Sequence, residues 1–179
     1  MASYRLSARQ AFASISGVAL GVLIVGSGTY AANPEPVTVD VTFVDPITIS
    51  ENNSLQFGLV DTGLAGGDTI AIGTDDSVSE STPRVLGGTQ AAADLTVTAD
   101  PGRLITILVG SITPNTGYTL GSFVCNYDLA GDNACDGAGY TETSVASATL
   151  EIGATLTGSG AAISPGTANG SFEVTISYQ

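Results

Sequence analysis

The stretch Ala148-Thr-Leu-Glu-Ile-Gly-Ala-Thr-Leu156 puts an apolar residue at every second position, with Thr, Glu or Gly between. A period of two belongs to a strand with one face on a core and the other in water; a helix, with a period near 3.6, would scatter these residues around its axis. The same alternation recurs at the C-terminus, where Phe172, Val174, Ile176 and Tyr178 interleave with Ser171, Glu173, Thr175 and Ser177. It recurs again at Val37, Val39, Val41 and Phe43, interleaved with Thr38, Asp40 and Thr42. Shorter apolar pieces at 47–49, 55–59, 69–72, 95–99, 104–109 and 123–127 are bounded by Gly, Pro, Asp and Asn clusters, and 50–54 reads as a polar break. About eight strands at turn-punctuated spacing predict an all-β domain, a β-sandwich, with a single helical turn near 90–94.

Composition narrows the chemistry. The chain of 179 residues contains no His, no Trp, no Lys and one Met, the initiator. That removes the usual general base, the Schiff-base amine and most zinc-ligand sets, so no cofactor is expected. All 17 acidic residues follow residue 31, together with only Arg84 and Arg103, which leaves a charge near −15 on that part. Such a surface repels nucleic acid and anionic lipid. The first 31 residues read as an export signal: Arg5 and Arg9 lead, an apolar stretch runs over 11–25, and small residues close it. An uncleaved anchor is the rival reading, but the apolar run is shorter than the ~20 residues a membrane span needs. The expected product is exported, with no membrane insertion after cleavage.

Cys125 and Cys135 are the only thiols. In an exported chain they are expected to form one disulfide closing a surface loop. Asp128, Asp132 and Asp136 beside them are weak calcium candidates, because their spacing does not match the alternating-oxygen loop of an EF-hand and ordinary turn chemistry accounts for them. Asp61-Thr-Gly63 resembles the catalytic loop of aspartic proteases, which would require a dimer so that two carboxylates share a proton; Leu64 departs from that family's pattern. Gly63, Gly66 and Gly67 lack the downstream Lys of a phosphate loop. Asn52 and Asn169 match glycosylation acceptors.

The two ends of the processed chain carry the most specific signal. Val37-Thr-Val-Asp-Val-Thr-Phe-Val-Asp-Pro46 resembles the mature N-terminal segment of alpha-class chaperone–usher fimbrial major subunits, and the C-terminal Gly166 and penultimate Tyr178 resemble the terminal motif of chaperone–usher pilins. The middle of the chain, Leu55-Gln-Phe-Gly-Leu-Val60 with Gly66-Gly-Asp-Thr-Ile-Ala-Ile72, resembles the exported bacterial domain-of-unknown-function family 4402. The cysteine pair does not map onto alpha-class pilins.

The resemblance implies a signal peptide (1–31), a donor strand (32–45) and an incomplete immunoglobulin-like sandwich (46–179). It implies a cell-surface fimbrial subunit, not an enzyme, that polymerises head-to-tail and supports adhesion or biofilm. Val37, Val39, Val41 and Phe43 of one copy would fill a groove beside Phe172, Val174, Ile176 and Tyr178 of another. A periplasmic chaperone and an outer-membrane usher would serve assembly. Sequence alternation alone leaves open a self-complete monomer, such as a carbohydrate-binding surface module or adhesin, because it does not distinguish pairing within a chain from pairing between chains.

Overall fold

The computed structural model of the chain describes residues 38, 40–110, 112–113, 116–166 and 170–179. The predicted signal segment, Val37, Val39 and Asn169 lie outside them. The strands all fall in the unit Thr42–Gln179.

The alternating stretch at 148–156 forms the middle of β11 (Ser147–Gly158), the strand around which one sheet is organised. Its first half pairs antiparallel with β6 (Ala93–Thr98), which in turn pairs with β1 (Thr48–Asn53). Its second half pairs on the same side with β3 (Thr69–Ile72), which is followed by β4 (Val78–Glu80). The change of partner occurs at Gly153, where an added Cβ would meet the Ile72 carbonyl oxygen at 2.3 Å, so only glycine lets the backbones approach there. Along its other edge β11 pairs with β8 (Tyr118–Tyr127), which carries β9 (Asp132–Ala134). The register of β8 slips opposite Gly153 and Thr155, and Ser122 adopts a positive φ of 48°. This is a bulge that bends the strand.

A second sheet runs in the order β10 (Tyr140–Thr143), β7 (Leu104–Gly110), β12 (Glu173–Tyr178), and β2 (Leu59–Val60) pairs with β5 (Val85–Gly87) in a small separate ribbon. The two main sheets share one core. Leu95 and Val97 from β6, Phe123 from β8 and Leu150 and Ile152 from β11 pack with Ile105, Ile107 and Val109 from β7. The β-sandwich is therefore as the period-two pattern predicts, with antiparallel pairing throughout.

Three local expectations are corrected. The stretch 90–94 is not helical: Ala91 exchanges both backbone hydrogen bonds with Gln56 at 2.8 and 3.0 Å, and Ala93 already belongs to β6. Tertiary pairing overrides the helix preference of a short alanine run. The polar break at 50–54 lies largely within β1, which is exposed along its whole length and so carries no apolar alternation. The twelve strands among the described residues exceed the expected number because β4, β5, β9 and β10 are only three or four residues long and all but β5 are mostly polar.

Candidate functional site

β12 is bonded to β7 through residues Glu173–Tyr178, and among the described residues no strand pairs with its other edge. Its alternation puts Val174, Ile176 and Tyr178 against the core and Glu173, Thr175 and Ser177 in solvent. Phe172, just ahead of the strand, is seated by Phe123, whose ring centroid is 5.1 Å away at an interplanar angle of 52°. Beside this edge opens a cleft of about 1340 Å³. Phe172 and Val174 line it from the β12 side and Ile49 from the β1 side. Leu95 and Leu156, both nearly buried core residues, also face it. An edge strand with free N–H and C=O groups next to an apolar trough is a template for an added strand.

The cleft is asymmetric along its length. Gly166, Phe172 and Val174 line it, whereas Ile176 and Tyr178 do not. At that end the Tyr178 hydroxyl donates to the Asp45 carbonyl at 2.9 Å and accepts from the Asp100 N–H at 2.6 Å. Asp100 is itself fixed, accepting from Arg103 Nε at 3.0 Å and, through its carbonyl, from the buried Ser144 hydroxyl. The C-terminal tyrosine thus ties the lead-in of β1 to the turn between β6 and β7. The opposite end of the cleft reaches the small β2–β5 ribbon, where Leu59 and Leu86 line it while remaining 64% and 73% exposed.

The N-terminal ribbon is only partly within the described residues. There Val41, Phe43 and Val44 are 65%, 90% and 44% exposed, and residues 40–46 form no strand. Leaving a Phe and two Val in water forgoes several kcal/mol of burial, at ~1.5 to 3 kcal/mol for each large side chain fully buried.

The disulfide between Cys125 and Cys135 is formed, with a Cα–Cα distance of 5.8 Å. Both cysteines are fully buried in the main core, so the bond closes a surface hairpin from beneath. Cys135 also joins the layers: its N–H donates to Phe123 of β8 at 3.1 Å and its carbonyl accepts from Val109 of β7 at 2.7 Å. A disulfide is compatible with an exported protein. Among the described residues no helix is long and apolar enough to cross a membrane.

The remaining candidates are drawn into local structure. Asp61 accepts from the Gly63 N–H at 2.9 Å and pairs with Arg84 at 3.4 Å, an Asx turn with a bound guanidinium. The same Arg84 holds Asp68 at 2.9 Å. The Ala65 N–H and then that guanidinium keep the Asp68 carboxyl below the ordinary carboxylate range. Gly67 donates to Gly158, closing the glycine turn on β11. Asp132 accepts from Thr74 and Asp136 from the Phe123 N–H, while Asp128 lies in an exposed turn. No group of three or more His, Cys, Asp or Glu among the described residues is arranged to hold a metal ion. Asn52 sits on β1 and donates to Thr96 and Asp94.

The alternation from Phe172 to Tyr178 identifies β12 as a strand but does not reveal the opposite wall of the cleft. Ile49, Leu55 and Phe57 face the same cleft, and the signal that could have located them was the period-two parity that Ile47 and Ile49 share with Leu55, Phe57 and Leu59 on the far side of the supposed break. No curated protein matches the chain. The family described as Domain of unknown function (DUF4402) matches residues 47–178, beginning just after the Asp45-Pro46 step and ending within β12. The chain therefore belongs to the DUF4402 family.

Proposed function

We propose that this protein is a structural subunit of an extracellular fimbria that polymerises by strand donation. The ribbon Val37–Phe43 of one copy would add to the free edge of β12 in the next. The observation that carries this reading is the coexistence, in one chain, of an unpaired sheet edge beside an apolar-lined cleft and an alternating apolar segment whose described residues lie in solvent. Each is an aggregation liability by itself; together they are complementary. The contact is heterologous and does not close, so it builds a filament. Release requires a whole strand to unzip from a sandwich, which makes the assembly kinetically persistent. Export through the periplasm, with a chaperone capping the cleft and an usher placing the subunits, belongs to the same reading.

The test is electrophoresis of native material without boiling. SDS-resistant ladders are expected from the full chain, and their loss on deletion of residues 32–44. A monodisperse monomer both with and without that segment rejects the proposal and favours a self-complete surface module.

A further inference from the structure

We infer that the exposed Leu59–Leu86 pair on the β2–β5 ribbon is the seat for the body of the neighbouring copy, and that the donated strand therefore enters with Phe43 at that end of the cleft. This rests on the strand-donation reading and adds to it a polarity and a second contact.

Only Val44, Asp45 and Pro46 separate Phe43 from Ile47, where the core-packed part of the chain begins. The four Cα–Cα steps from Phe43 to Ile47 span at most ~14 Å. The donor's own body must therefore sit against whichever end of the cleft Phe43 occupies. One end is taken: there the acceptor's Tyr178 holds its own Asp45, and the cleft stops short of Ile176. The other end is open, and it ends on two leucines that are 64% and 73% exposed.

What arrives there is also apolar. Val44 immediately follows Phe43 and is itself 44% exposed in the single chain. With Phe43 at the Phe172 end, the donor runs antiparallel to β12, the arrangement with the more favourable hydrogen-bond geometry. Val44 of the second copy then lies over Leu59 and Leu86. Two unsatisfied apolar patches of one chain are covered by a single repeat of the contact, and the partner is a second copy of this chain.

Two measurements on the full chain test this. In the first, Val44→Cys is combined with either Leu86→Cys or Gln179→Cys and assembled material is oxidised. Covalent ladders are expected with Leu86→Cys and not with Gln179→Cys. Ladders with the Gln179 partner instead, or filaments that give no ladder with either, overturn the inference.

The second compares wild type with the Val44→Ser variant, whose position is exposed and does not line the cleft. Filaments of the variant are expected to dissociate at least tenfold faster, while capture of a labelled synthetic peptide of residues 32–43 by the monomeric chain stays within about threefold. An equal loss in both assays, or none in either, overturns the inference. Failure of the wild-type chain to capture the peptide or to polymerise counts instead against strand donation itself.

Discussion

Replacing Cys125 and Cys135 together by alanine should destabilise the sandwich severely. The two residues are separated by 10 positions, and closing a loop of that size removes chain entropy worth about 2.7 kcal/mol from the unfolded state. Both sulfurs are fully buried in the core, so their removal also leaves a small void costing about 1 kcal/mol or slightly more. The expected loss is about 3 to 5 kcal/mol. For the unit Thr42–Gln179 the unfolding entropy is roughly 0.3 kcal/mol/K, which converts this to a fall in Tm of about 10 to 17 °C by calorimetry. A second consequence follows from Cys135 bonding to Phe123 in one sheet and Val109 in the other. Loosening that junction disturbs β7 and hence the strand that borders the cleft, so peptide capture should weaken in the same variant. A Tm shift below about 3 °C would refute the reasoning, because it would mean that neither loop closure nor the buried sulfurs contribute as argued.

Phe43→Ser in a peptide of residues 32–44 should weaken capture by about 10- to 100-fold, the equivalent of one lost large apolar side chain, as read by fluorescence anisotropy. Tyr178→Phe removes the partner of both the Asp45 carbonyl and the Asp100 N–H. The expected cost is about 1 to 2 kcal/mol, with faster proteolysis around Asp45; unchanged cleavage there would show that the clasp does not hold the lead-in. Glu151 lies directly across from Asp94, and burial first, then the surrounding acids, raises its pKa above the ordinary value of 4.5. Since the folded state binds this proton more tightly than the unfolded state, wild type gains stability as pH falls through the folded pKa towards 4.5. Glu151→Gln should therefore melt higher than wild type at pH 7, with the difference closing as the pH drops below that value in a thermal-melt series.

How far the sequence carried the structure depended on where each strand sat. β11 and β12 each have one face on the core, so every second residue had to be apolar and both were legible. β1 was not: as an exposed edge strand it is specified by its register with β6 rather than by any buried face. The alanines at 91–93 invited a helix because local propensity knows nothing of Gln56, thirty-five positions away, which captures Ala91. The alternation of Phe172 to Tyr178 marked a strand, but only the fimbrial resemblance put a groove beside it, and the cleft's far wall and open leucine end arise from segments that meet only in three dimensions. Cys125 and Cys135 were paired correctly from spacing and number. Their depth in the core was invisible, because a surface hairpin and a buried staple share the same sequence signature.

Both arginines among the described residues are already engaged, Arg84 by Asp61 and Asp68 and Arg103 by Asp100. No cationic side chain is left over there to answer the surplus of carboxylates. Side-by-side fibres made of such copies would repel at low ionic strength and draw together only when dissolved salt shortens the range of that repulsion to ~10 Å or less. Whether a preparation disperses or bundles would then depend on the ionic strength of the medium.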